Sequence, residues 1–235
     1  MKSAGLVLAA GSSRRMGRSK QLLPFNGRPL LEGVVAAAND SSLDEVLVVL
    51  GANAEEIERG VELGRARVVV NPDHEAGLGS SLRAGLSALG SEVGRAMVIL
   101  GDQPAVSAKL FDRLLALQAS SGLPSAALRF GTLLHPPVVL ERSLFGDLGS
   151  LEGDVGCRAV IRGRPELVAA IPADTDSNHP IDVDPIQDYR RLLAGGCSML
   201  GDPGPPSLGG ARTVPGGGRR SPFSAPRAAR GSGAA

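Results

Sequence analysis

Thiols are scarce in this 235-residue chain: Cys157 and Cys197 are the only two, and neither lies in a CxxC or a His/Cys cluster. That excludes a disulfide framework and a structural zinc site, and a reducing compartment is expected. Charge of one sign is also missing. With 25 Lys and Arg against 24 Asp and Glu, the formal net charge is +1, which leaves no basic surplus for nucleic acid or an anionic membrane. No apolar run is long enough to span a bilayer. The chain passes from Met1-Lys2 into the short run Gly5-Leu6-Val7-Leu8, too brief for the core of a secretory signal. A cytoplasmic protein with neither nucleic-acid nor membrane partners is therefore the expectation. No internal repeat is present, and no Ser/His/Asp or Cys/His arrangement supplies a nucleophile.

Apolar residues are plentiful, at 43%, enough for a core in one domain. Short aliphatic runs recur at Gly5–Leu8, Glu45–Leu50, Arg67–Val70 and Ala96–Leu100. They are apolar on consecutive positions, as strands of a parallel sheet covered on both faces should be. Between them, amphipathic spacing predicts helices over Pro29–Ala38, Ala54–Leu63, Leu78–Leu89 and Ser107–Ser120, with proline early in the first and Ser107 placed to cap the last. This alternation reads as an α/β fold. Further strands are expected at Ser125–Arg129, Pro137–Leu140 and Leu167–Ala170, and a closing helix at Pro185–Leu193. From Gly195 onward the composition turns to Gly, Pro, Ser, Ala and Arg, too poor in periodic apolar residues to offset the entropy of ordering. Residues 1–194 are thus read as one domain and 195–235 as a disordered tail.

The segment Leu8-Ala9-Ala10-Gly11-Ser12-Ser13-Arg14-Arg15-Met16-Gly17-Arg18-Ser19-Lys20 follows the first strand, at the edge where open α/β sheets bind ligands. Small residues at Ala9, Ala10 and Gly11 let backbone N–H groups approach a phosphate or a base, and Arg15 and Lys20 supply charge for a triphosphate. Two commoner phosphate motifs are excluded. A P-loop needs GxxxxGK[ST], and here Gly17 follows Gly11 by six with Lys20 apart from it. The stretch Gly77-Leu78-Gly79-Ser80-Ser81-Leu82 starts as a dinucleotide fingerprint and ends in leucine.

A second strand, Met97–Leu100, ends in Gly101-Asp102 and brings a carboxylate to the same sheet edge. Mg²⁺ prefers oxygen and is held by one or two carboxylates plus substrate phosphates. Asp102 therefore needs one partner, and Asp182 or Asp184, which share a face if extended, can supply it. A plain turn in which Asp102 caps the next helix is the alternative.

Taken together, LAAGSSRRMGRSKQLLPFNGRPLL, GLGSSLRAG (Gly77–Gly85), GDQP (Gly101–Pro104), HPPVV (His135–Val139), GDVGCR (Gly153–Arg158) and IDVDPIQDY (Ile181–Tyr189) resemble the MobA-like NTP transferases, in particular the molybdenum cofactor cytidylyltransferase (MocA-like) branch. The resemblance runs from Gly5 to about Leu193. It implies a Rossmann-like three-layer sandwich with a mostly parallel sheet, related to the nucleotide-diphospho-sugar transferases. It also implies Arg15 and Lys20 on the phosphates of an NTP, with Leu8, Ala9, Ala10, Gly11 and Ser81 around base and ribose.

Ala9-Ala10, where guanylyl-transferring relatives have Ala/Gly-Gly, points to CTP. His135, Asp154 and Arg158 fall in segments that the family places against the acceptor, molybdopterin by implication, and a molybdoenzyme client is an implied partner. Cys157 replaces the usual Ala of GDxGAR, and Pro185-Ile186 replaces Thr-Pro in DIDTPEDY. The implied reaction is attack by the acceptor phosphate on the α-phosphorus of CTP, with Arg15, Lys20 and Mg²⁺ on Asp102 balancing the charge of the departing pyrophosphate. Two other functions fit the same resemblance: an NAD(P)H-dependent oxidoreductase acting on a heterocycle, of the nicotine blue oxidoreductase kind, and a non-enzymatic molybdenum cofactor carrier.

Overall fold

The strand-like runs build a seven-stranded sheet in a computed structural model that describes residues 1–11, 19–51 and 53–173. In chain order the elements are β1 (Lys2–Leu8), β2 (Pro24–Phe25), β3 (Arg28–Pro29), α1 (Leu30–Asn39), β4 (Glu45–Leu50), α2 (Ala54–Gly60), β5 (Arg67–Val70), α3 (Leu78–Ser87), β6 (Val93–Leu100) and α4 (Ala108–Ser121). These are followed by β7 (Ser125–Phe130), β8 (Leu133–Glu141), α5 (Phe145–Gly149), α6 (Arg158–Gly163) and β9 (Val168–Pro172). The sheet runs β5-β4-β1-β6-β8-β7-β9. Neighbours are parallel except at β8, which is antiparallel to both β6 and β7. This is the mostly parallel, nucleotide-diphospho-sugar transferase-like arrangement expected.

The consecutive apolar residues are divided between two cores because successive side chains leave a strand on opposite faces. Val7, Val46, Val48, Met97 and Ile99 pack on one side with Leu31, Val34 and Val35 of α1 and Phe111 and Leu114 of α4. Leu6, Leu8, Leu47, Val49 and Val98 pack on the other with Leu82 of α3, Leu148 of α5 and Ile161 of α6. No helix among the described residues is long and apolar enough to cross a membrane.

Local chemistry explains the element ends. Ser107 caps α4, its Oγ accepting from the Leu110 N–H at 3.3 Å, as the sequence predicts. Pro29 lies just before α1 rather than inside it, as the last residue of a two-stranded ribbon closed by Asn26 (φ 50) and Gly27 (φ 80). Asn-Gly is the pair that tolerates two left-handed residues in succession. Strand β8 extends four residues further toward the N-terminus than expected and carries Pro136-Pro137. Proline has no N–H to donate to a ladder. Accordingly the β7 register jumps from Ala127↔Val138 to Leu128↔His135, and the β6 pairing stops at Val98↔Val138. The sheet therefore opens beside Leu100. The helix expected at Pro185–Leu193 and the tail lie outside the described residues.

Candidate active site

Three strand ends are tied together at the C-terminal edge of the sheet. The Ala9 N–H donates to Val49 O at 2.9 Å, and the Gly101 N–H to Leu8 O at 2.9 Å. Gly101 is required for this closure: a Cβ there would stand 2.9 Å from Ala9 Cβ and 3.0 Å from Leu31 Cδ1. Gln21, 2% exposed, fixes the start of the loop by donating through Nε2 to Ala9 O (2.8 Å) and Gly11 O (3.1 Å). Lys20 and Asp102 meet above these ends, Nζ to Oδ2 at 2.6 Å, each side chain less than a fifth exposed. Residues 82 positions apart thus form a short charge-assisted hydrogen bond.

A cleft of about 510 Å³ lies against this pair, lined by Leu8, Ala9, Ala10, Gly11, Lys20, Gln21, His74, Glu75, Ser81 and Asp102 among others. The backbone of Gly77 and Gly79 is occupied by chain. The Gly79 N–H donates to Gly153 O at 3.0 Å, and a Cβ on Gly77 (φ +95) would come within 2.7 Å of Asp154 N and closer still to Gly153. This contact brings Asp154 to the cleft mouth, where it also lines a second chamber. That chamber, about 380 Å³, opens where β8 loses its pairing and is lined by Leu8, Leu78, Val98, Leu100, Pro136, Asp154, Val155, Gly156, Cys157, Arg158, Ala159 and Arg162.

Of the residues singled out from sequence, Leu8, Ala9, Ala10, Gly11, Lys20, Ser81 and Asp102 come together in the first chamber, Arg158 joins the second, and Asp154 lines both. His135 does not join either lining. It stands on β8 with its ring edge-on to Phe130, centroids 5.4 Å apart. Arg15, Asp182 and Asp184 lie outside the described residues. Sequence reasoning gave no role to Gln21, His74, Glu75 and Arg162 on the cleft walls or to Asn71 behind them; Gln21 lies within the first family segment, next to Lys20, and the others lie outside the quoted motifs.

Cys157 is 3% exposed and packs in the second core, and burial pushes its thiol up to about 12. It is a packing residue at neutral pH, not a nucleophile.

Among the described residues no group of three His, Cys, Asp or Glu gathers to hold a metal. The donor chemistry at Asp102 nevertheless suits a hard divalent ion that draws its other ligands from phosphate and water, because one or two carboxylates suffice for that mode. The carboxylate already has a cation, Lys20, on one oxygen.

The sheet and its strand-end cleft place the chain among the nucleotide-diphospho-sugar transferase-like α/β proteins. The chain belongs to the family of the MobA-like NTP transferase domain, whose model matches residues 5–170.

It is 36% identical over 198 residues to nicotine blue oxidoreductase of Paenarthrobacter nicotinovorans, covering 80% of this chain and 95% of that protein. It is 31% identical over 206 residues to the purine catabolism protein PucB of Bacillus subtilis, covering 81% and 97%. Among solved structures, the homologue of Mycobacterium tuberculosis Rv0371c from Mycobacterium sp. strain JC1 superposes with a TM-score of 0.73 at 36% identity, over 83% of this chain and 97% of that one. Rv0371c of M. tuberculosis, in complex with manganese, gives 0.72 at 29% identity, over 83% and 99%.

Proposed function

We propose that this chain is a magnesium-dependent cytidylyltransferase of the cytoplasm, which transfers CMP from CTP to the terminal phosphate of a small-molecule acceptor, molybdopterin in first place, and releases pyrophosphate. The observation that carries this reading is the Lys20–Asp102 pair, 2.6 Å apart, with Lys20 opening the short turn Lys20–Leu22 and Asp102 just past the end of β6, the parallel neighbour of β1. A lone cation would suit any anion, and a lone carboxylate any cation. Facing each other over the Ala9–Gly11 backbone, they suit a polyphosphate together with its metal. Family membership and the manganese complex of a relative support a divalent ion.

The ion would be held by Asp102, with Asp182 or Asp184 as its partner. When bound, magnesium would offset charge on the triphosphate as pyrophosphate departs. Lys20, once drawn from Asp102, and Arg15 would hold the phosphates, while the Ala9–Gly11 backbone and Ser81 would hold the nucleoside. The second chamber would seat the acceptor, with Asp154 at the junction and Arg158 against an acceptor anion. A phosphate oxygen of the acceptor then attacks the α-phosphorus in line as the bond to the bridging oxygen breaks. That nucleophile is largely anionic at neutral pH, so alignment and charge balance suffice without a protein base. His135, edge-on to Phe130 and outside both linings, has no step in this scheme.

The test is pyrophosphate release from CTP with molybdopterin. Asp102→Ala is expected to fold and to lose at least about 10²-fold in turnover, and Lys20→Ala to lose most of it. Wild-type turnover in folded Asp102→Ala would overturn the metal role. Thermal shifts with CTP, GTP, ATP and UTP test the base, and a preference for GTP would overturn the cytidine reading.

A second reading, an NAD(P)H-dependent oxidoreductase of a heterocycle, is favoured by the 36% identity to nicotine blue oxidoreductase. Against it, the near-fingerprint ends in Leu82 rather than glycine, and the close backbone approach that Gly77 and Gly79 permit is taken up by the Leu151–Asp154 backbone. NADPH oxidation without any NTP turnover would reverse the choice.

A further inference from the structure

Ser81 is 3% exposed, yet it lines the first chamber, and the direction of its hydrogen bonds can be worked out atom by atom. Asn71 sits just after β5, 3% exposed. Its Oδ1 accepts from the Asp73 backbone N–H at 3.0 Å. A backbone N–H can only donate, so the amide orientation is fixed and Nδ2 faces the two serines. Nδ2 donates to Ser80 Oγ at 2.9 Å and to Ser81 Oγ at 3.1 Å. Ser80 passes its own proton to backbone carbonyls, Asp73 O and Gly77 O, both at 2.8 Å. Ser81 Oγ accepts from Asn71 and has no acceptor for its proton among the described residues. A buried hydroxyl with an unspent donor at a cleft wall awaits a partner.

We propose that Asn71 is a specificity-determining positioning residue. By spending both amide hydrogens on Ser80 and Ser81, it makes the Ser81 hydroxyl a donor toward the cleft. The site therefore favours a nucleoside group with a lone pair at that point, a base carbonyl oxygen or an unprotonated ring nitrogen, and disfavours an amino group. This rests on the nucleotide reading of the cleft.

Calorimetric titration with CTP in the presence of magnesium tests it. Ser81→Ala is expected to weaken CTP about three- to tenfold, the worth of one neutral hydrogen bond. Asn71→Ala should weaken it similarly, and the double variant no further. Ser80→Ala also breaks a bond from Asn71, but Ser80 does not line the cleft, so CTP affinity should stay at the wild-type value. The isosteric Asn71→Asp, whose carboxylate accepts where the amide donated, should lose at least as much as Ser81→Ala and covers the case in which Asn71→Ala does not fold. Additive losses at Asn71 and Ser81, or wild-type affinity in Ser81→Ala or Asn71→Asp, would overturn the inference. Lys20→Ala separates the two levels. If it abolishes CTP binding while Ser81→Ala binds normally, only the positioning role fails; if the wild type binds no NTP, the nucleotide reading fails and takes the inference with it.

Discussion

Replacing Gly77 by alanine should damage both stability and acceptor chemistry, and the size of the effect follows from three local terms. The residue has φ +95 and ψ −174, a region open essentially to glycine alone, which costs about 1–3 kcal/mol for any other residue. The new Cβ would press on backbone atoms of Gly153 and Asp154, and overpacking of this kind costs about 1–3 kcal/mol. The 3.0 Å bond from the Gly79 N–H to Gly153 O is the first casualty of relaxation, at about 1 kcal/mol. Relaxation trades these terms against one another, so a net loss of about 3 kcal/mol is expected, or roughly 6–12 °C in melting temperature for a domain of this size. The same relaxation moves Asp154 by about 1 Å, a displacement that costs on the order of 10²-fold when it misaligns reactants. Melting curves and steady-state pyrophosphate release with CTP and molybdopterin measure the two effects. On the proposed reading, in which Lys20, the Ala9–Gly11 backbone and Ser81 hold the nucleotide, CTP affinity should change less than acceptor turnover. A Gly77→Ala protein that melts within about 2 °C of wild type and turns over normally would refute the reasoning.

Two further substitutions test the same reading of glycines and of surface charge. Gly33 lies inside α1 with open space where a Cβ would go, so Gly33→Ala should stabilise the protein by about 0.5–1 kcal/mol; a lower melting temperature would contradict the packing described. Asp44 accepts from the Ser3 N–H (2.7 Å) and Ser3 Oγ (2.9 Å), and these bonds hold its carboxyl below the usual range. Because the folded-state value is depressed, the stabilisation is present above the ordinary carboxylate range and is lost as pH falls through the lowered one. Asp44→Ala should therefore cost about 1 kcal/mol near neutrality, with the gap to wild type closing in acid. Urea titrations at several pH values would detect a gap that instead widens.

Legibility followed the physics of each signal. The strands Glu45–Leu50 and Arg67–Val70 have the ends the sequence predicts; the first is covered on both faces and must be apolar throughout, whereas the second is an edge strand with Val70 exposed. Helices α2 and α3 end earlier than predicted, at Gly60 and Ser87, where apolar spacing continues past the last helical hydrogen bond. The reversal of β8 could not be read, since an antiparallel strand inside a doubly covered sheet has the same apolar run as its parallel neighbours. Pro136-Pro137 was visible, but its consequence, the opening beside Leu100, required the pairing partners. Lys20 and Asp102 could be placed at one sheet edge from their positions after strands; their contact could not. Asn71 and Gln21 act through backbone carbonyls and serine hydroxyls, and an amide that recognises backbone has no spacing rule to betray it.

The Lys20–Asp102 contact is better explained by a ligand than by stability. A pair with side chains 17% and 18% exposed lies between the surface case, worth about 0–1 kcal/mol, and the buried case, where desolvation cancels much of the attraction. Neither regime makes it a strong fastener. The backbone beneath it is held independently, by the bonds from Ala9 to Val49 and Gly101 to Leu8 and by the Gln21 amide. Removing the pair would therefore leave those strand ends in place. On the proposed reading, opposite charges held on a frame that does not depend on them exchange partners when substrate binds: the ammonium for a phosphate, the carboxylate for a metal. Double substitution of Lys20 and Asp102 by uncharged residues should accordingly cost little stability while abolishing transfer.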